Sequence, residues 1–485
     1  MPTPSVIINI ADNQVGIRGP IGQGTTLAII APANAGTYNT PAKYARIADV
    51  EAEFDTGPLV EMAAYAIERY GKPVLLVRCE TANIATYTAL VADDGASTSV
   101  PTLVSPAVAN DEHEVYIEIV TGGTIAADGI TYKWSLDGGR TMSNELELGT
   151  AAFIIVPNSG GARINFAAGT LLTGNSYAWR TTPPMWDVTQ LDASFAVLKV
   201  TAHKFRPIWV FGALDATAIS AIQASIGLIL ATKKHVFVVG QLRGPTIGET
   251  DAQFQTAAAA IVASVDMRRL ALCGGYCEAL SSITRYRAHR SATFAVAARF
   301  AAVGPHIDIA AIGLGPCPGI RLLDDNQNPV TQWHDEHINP GLDDFRLITL
   351  KTDEEYPGVF VTNPRLMGAP GTDFKYVQHL NVTDIACEVV NKEMKRRLSV
   401  GLRLDPTTGF ILEAEAVEVE NSVAMAMKKR LVKPGPFVSS VAFILRRDDN
   451  ILSTETIRGT VRILPLAYPK QAVIEVGLVN AAKAA

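Results

Sequence analysis

The alternation of apolar and polar positions changes character three times along the chain. "TTLAIIAPA" (25–33) and "KPVLLVRCE" (72–80) are continuous apolar runs bounded by turn residues, as strands buried on both faces are. Between them "GPLVEMAAYAIERYG" (57–71) spaces its apolar side chains at helical period and closes on Gly71. The same alternation returns after residue 187. "RPIWVFGAL", "ATAISAIQASIGLILATKK", "HVFVVGQL", "ETDAQFQTAAAAIVASVD" and "RRLALCGGY" read strand, helix, strand, helix, strand, and "SATFAVAARFAAVG" adds an Ala-rich helix. One sheet is expected to take strands from both blocks, giving an α/β domain over 21–80 and 188–330.

From 81 to 187 helical period vanishes. Short pieces such as "EVYIEIVTGG", "ITYKWSLDGG", "AAFIIVPNSGG" and "YAWRTTP" are separated by turn residues, which predicts an inserted, outward-facing all-β domain. Residues 331–470 form a third, mixed α+β region. In "GVFVTNPRLMGAPGTDFKYVQHLNVTDIACEVVNKEMKRRL" the Asn363-Pro364 step ends a strand, Gly368, Pro370 and Gly371 shape a turn, and Thr372 or Asp373 is placed to cap a helix starting at Phe374. Val377, Ala386, Val390 and Met394 fit its buried face. "LEAEAVEVENSVAMAMKKRL" opens on Glu413, Glu415, Glu418 and Glu420 and closes on Lys428, Lys429 and Arg430, the charge order a helix macrodipole prefers, although "EAEAVEVE" by itself also suits a strand. Three strands follow, "FVSSVAFILRR", "TIRGTVRILPLA" and "QAVIEVGLV". Two ends stand apart from these domains: "SVIINIA" (5–11), set off by the Gly-rich "GIRGPIGQG", predicts an N-terminal strand arm over 1–20, and 471–485 a C-terminal one.

Composition narrows the function. Of the 485 residues 48% are hydrophobic, which excludes a disordered chain, and the formal net charge of −6 argues against nonspecific nucleic-acid or anionic-membrane binding. Charge is segregated: residues 81–187 carry 4 basic and 11 acidic side chains, 4 − 11 = −7, whereas 374–470 carry 15 and 11, 15 − 11 = +4. Five cysteines, Cys79, Cys273, Cys277, Cys317 and Cys387, are too sparse for a disulfide framework and fit a reducing compartment. No basic-then-apolar leader and no membrane-spanning run is read in the chain, so a soluble protein is expected.

Candidate chemistry is thin. His334, Asp335, Glu336 and His337 are metal-ligand types, but "INPG" breaks the helix that would align the two histidines, so a polar turn is the better reading and no metal is expected. The C-x3-C of Cys273 and Cys277 lacks zinc or thiol-redox spacing. "GLGPCPG" (313–319) imitates a phosphate loop, yet Pro316 and Pro318 deny it a helix N-terminus with free N–H donors. No nucleophile elbow is present, so neither a catalytic residue nor a cofactor is assigned.

The 357–398 stretch, the second helix after it, "FILRRDDN" and "GTVRILPLAYPKQAVIEVGL" resemble the C-terminal part of contractile tail sheath proteins of phages and related injection machines, over about residues 345–480. The resemblance implies a tail-sheath-like multidomain architecture and a structural, non-enzymatic subunit. Such a subunit polymerises as stacked hexameric rings around an inner tail tube protein and meets baseplate and tail terminator proteins, without nucleic acid or membrane. It would be made in a bacterial cytoplasm and reside in a virion tail or another contractile particle. It also implies that both arms join a β hairpin in neighbouring subunits, which suits Val6, Ile8 and Ile10 and, at the other end, Ile474, Val476 and Leu478. Lys428, Lys429 and Arg430 become candidates for contact with an acidic tube; a solvated helix end explains them equally well. The competing readings are an α/β nucleotide-binding enzyme with an accessory β domain and, less favoured, another virion protein carrying the β insert.

Overall fold

The computed structural model describes residues 26–244, 246, 249–322, 341–369, 371–398, 400–433 and 435–470. The arm residues and the His334–His337 cluster lie outside them. The chain divides into two compact units, 306–311 with 370 onward forming the second.

The first unit is built on a six-stranded sheet in the order Leu270–Cys273, Phe237–Gln241, Pro207–Ala213, Leu27–Ala31, Val74–Arg78, Ala42–Tyr44. All neighbours are parallel except the last pair, which is antiparallel. The register sets Ile29 beside Trp209 and Leu76, so strands from before and after the inserted region pair directly, as the apolar runs predict. Side chains alternate between two cores. Ala28, Ile30, Leu75, Ile208 and Val238 pack beneath helices Val188–Val200, Ala216–Ala231 and Asp251–Val262. On the other face Trp209 and Phe237 meet Phe294 and Phe300 of helix Thr293–Ala302, and Tyr65 of helix Pro58–Tyr70 lies 4.9 Å from Phe294. Gly71 closes the Pro58–Tyr70 helix at φ 62, a conformation that favours glycine.

Between Thr86 and Thr182 the strands form sheets of their own. The largest runs Leu146–Glu147, Thr131–Ser135, His113–Thr121, Ser176–Thr182, Thr86–Tyr87, all antiparallel where paired, around a core of Ile117, Ile119, Trp134, Ile164, Tyr177 and Trp179. Local pattern misses a further antiparallel sheet, Arg287–Ser291, Tyr276–Leu280, Ile320–Leu322. Its charged residues find distant partners: Arg140 reaches Glu278 at 2.6 Å and Arg290 holds Asp111 through two bonds of 2.7 and 2.6 Å.

The second unit begins later than the pattern suggests, at 370 rather than near 331. Residues 341–369 belong to the first because the Ile348 and Met367 backbones pair with Cys273 and Met267, and the Ala369 N–H donates to Asp266 Oδ1 at 2.8 Å. The helix expected from Phe374 is Val377–Lys395 instead. Tyr376 is extended (φ −123, ψ 146) and no side chain caps the helix, because the Thr372 hydroxyl accepts from the Phe374 N–H in a turn of its own. Of its expected apolar face, Val377 and Ala386 are buried and Val390 and Met394 half-buried.

Candidate functional site: an open hairpin on a helix pair

In the second unit the "EAEAVEVE" ambiguity resolves as helix: Glu413–Leu431 is continuous and buries Ala416, Val419, Val423, Met427 and Leu431. Against it lies a hairpin, Val438–Leu445 with Gly459–Pro465, antiparallel with Val441 opposite Ile463 and Phe443 opposite Val461. The period-two pattern sends Val441, Phe443 and Leu445 into the core and leaves Ser440, Ala442 and Ile444 outside. Gly459 leaves room for the Phe443 ring: a Cβ there would approach it to 2.6 Å, so the ring would have to shift.

The acid-rich start of the helix is neutralised within the unit. Arg447, just past the first strand, binds Glu413 (2.6 and 2.9 Å) and Glu420 (2.7 and 3.1 Å), and Glu420 also accepts the Leu445 N–H at 2.7 Å. These bonds hold both carboxyls below their usual range, the Arg447 contact contributing most. Glu415 takes Arg403 at 2.6 Å and Glu418 takes Arg397 at 3.1 Å. Each glutamate of the motif therefore ties the helix to a flanking segment, a role that its alignment with the macrodipole does not announce.

The other end of the helix differs. Lys428, Lys429 and Arg430 are exposed, and among the described residues Lys428 and Lys429 have no ion-pair partner. The Arg430 guanidinium lies 6.0 Å from the centre of the Phe437 ring. The hairpin, for its part, pairs only with itself among the described residues, so both outer edges present backbone donors and acceptors. Edges that no described strand covers provide room for added strands, and the outward side chains Ile444 and Leu464 are apolar.

Cys273 and Cys277 are buried and burial pushes both thiols up, which keeps them protonated. The "GLGPCPG" segment makes one 3-10 turn, Ile312–Leu314; its Gly315 and Pro318 carbonyls accept from Arg299 (2.8 Å) and Tyr65 (3.0 Å). Among the described residues no His, Cys, Asp and Glu gather as a metal site and no helix is long and apolar enough to cross a membrane.

This is an α/β body bearing a β insert, followed by a helix pair that carries an open hairpin: the fold of contractile sheath subunits. The sequence matches the family of the DUF2586 N-terminal domain over residues 3–365, and the chain belongs to that family. Two solved chains share its fold over 99% of this chain and 100% of theirs, each at 8% identity and a TM-score of 0.51. One comes from the sheath complex of PVC, an extracellular contractile injection system, in its contracted state, the other from the baseplate of the anti-feeding prophage. The sheath tail protein of Listeria innocua aligns over 92% of this chain and 96% of its own, at 11% identity and a TM-score of 0.45. No protein of curated function matches in sequence.

Proposed function

We propose that the protein is the structural subunit of a contractile sheath, assembling as stacked hexameric rings around an inner tube and shortening to drive that tube through a target envelope. The observation that carries this reading is the hairpin, which no other described strand pairs, in a chain 99% of which aligns with a chain of a contractile sheath complex. In this reading residues 1–20 and 471–485 of neighbouring copies supply the missing strands, Val6, Ile8 and Ile10 from one end and Ile474, Val476 and Leu478 from the other alternating into side-chain pockets. The connection survives while rings rotate, because main-chain hydrogen bonds hold the strands together.

The basic helix end at Lys428, Lys429 and Arg430 faces the tube, and the acidic insert, residues 81–187, faces outward. The subunit is made in a bacterial cytoplasm, polymerises between a baseplate and a tail terminator, and ends in a phage tail or another contractile particle. It catalyses nothing; contraction draws on energy stored at assembly. At roughly 25 cal/mol per Å², gaining about 200 Å² of buried apolar surface releases about 5 kcal/mol per subunit, and many copies make the change one-way.

Negative-stain microscopy of the purified chain tests the reading. Tubes or rings are expected; monodisperse globules that bind a nucleotide would instead favour the enzyme alternative.

A further inference from the structure

The apex of the hairpin is a fixed turn. Buried Asp449 accepts the Arg458 backbone N–H and its Nε, both at 2.9 Å, and Asn450 Oδ1 accepts the Ser453 N–H at 3.1 Å, closing the short Ile451–Thr454 helix. Ile451 turns inward against the core of the unit. Leu452 turns outward and is 82% exposed, the most exposed large apolar side chain among the described residues. A leucine held in water by a built turn contributes nothing to the stability of the lone subunit.

The same unit has an apolar pocket of about 270 Å³, lined by Val390, Met394, Leu398, Leu402, Val419 and Phe443. That is ample for a leucine, since cavities of about 150 Å³ accept benzene. Its one charged lining residue, Arg397, is already held by Glu418 at 3.1 Å.

We propose that Leu452 of one subunit docks into this pocket on a neighbouring copy. The occupant follows from charge as well as shape. Arg396 and Arg397 beside the pocket are paired with Glu393 and Glu418, leaving Lys395 exposed in the same turn without an ion-pair partner among the described residues. On the apex Asp448 and Asp449 are paired with Arg446 and Arg458, leaving Glu455, three residues from Leu452, exposed and likewise unpaired. Knob and hole thus carry complementary charge. Because Leu452 is not one of the residues that line the pocket, a contact between copies joins unlike surfaces and is head-to-tail, the kind that generates rings and helical arrays rather than closed two-fold dimers. Naming a second copy as occupant rests on the self-assembling reading above.

Mixing two single variants tests this, each made with Cys387→Ser to remove the exposed native thiol. Leu452→Cys and Leu398→Cys subunits, co-assembled and oxidised, are expected to give a disulfide-linked pair on a nonreducing gel that neither variant yields alone; only an intermolecular contact produces it. Leu452→Ala is expected to raise the subunit concentration needed for assembly by about tenfold. Polymers without the mixed disulfide would overturn the docking and leave the sheath reading standing. Absence of both polymers and disulfide would overturn the two together. If Leu398→Cys bonds instead to Val476→Cys, the C-terminal segment occupies the pocket and the proposal fails.

Discussion

Glu61 shows what a single buried acid does to this fold. It sits inside the Pro58–Tyr70 helix, accepts from the Ser281 hydroxyl at 2.8 Å and lies in the field of Arg290, which Asp111 already neutralises. Burial pushes its carboxyl up to about 7, with Arg290 pulling against it. In the unfolded chain the same carboxyl titrates near its ordinary value of 4.5. Above pH 7 the folded protein therefore bears the full cost of a buried charge. As pH falls from 7 to 4.5 the folded state binds a proton the unfolded state does not, and this contribution becomes favourable. Buried His113, pushed down to about 4 by burial, works the other way, since the unfolded chain takes its proton first below about 6.5. Glu61→Gln is expected to stabilise the protein by on the order of 1–3 kcal/mol at pH 8, with the gain shrinking toward pH 5. Urea unfolding at the two pH values measures it, and a loss at pH 8 would show that the ionised carboxylate is needed by Arg290. Gly459→Val acts by packing alone: its added carbon meets the Phe443 ring, and a loss of about 1–3 kcal/mol is expected at every pH.

At the scale of elements, legibility follows how local the stabilising partners are. The central strands could be read because burial on both faces leaves an uninterrupted apolar run, and the Glu413–Leu431 helix because its apolar positions recur within one turn. The sheet built on Tyr276–Leu280 escaped because Glu278 and Arg290 look solvent-facing until Arg140 and Asp111 arrive from more than a hundred residues upstream. The hairpin strands are visible in their alternation. That no other described strand pairs with their edges is a property of the folded unit, which no window of sequence contains. Arg447 is a comparable case: its sequence neighbours are Arg446 and Asp448, whereas its partners Glu413 and Glu420 lie on the helix. Arg447→Met should loosen the hairpin from the helix. Amide exchange across 438–445 and 459–465 is expected to speed up several-fold, and the difference should narrow in high salt, as for any half-exposed ion pair.

For the molecule as a whole, assembly and tube contact are separable claims. Deleting residues 1–12 or 472–485 removes the proposed added strands without touching either described core, so the truncated chains should unfold as the full chain does and yet form no tubes. Normal tubes from either would end the arm reading. The basic helix end calls for a different readout. Lys428 and Lys429 have no partner within the described subunit, while Arg430 also lies over Phe437, so a clean test neutralises the two lysines and spares the arginine. Sheath-to-sheath contacts built from strands and apolar surface are weakly sensitive to salt; a contact between a cationic helix end and an acidic tube is strongly so. Lys428→Gln with Lys429→Gln should therefore leave self-assembly of the purified chain unchanged. Co-sedimentation with the proposed inner tube should fall, and most of the salt dependence of wild-type binding should vanish with it. Equal tube binding by variant and wild type across 50 to 500 mM salt, as an order-of-magnitude range for changing screening, would return these lysines to an ordinary solvated helix terminus.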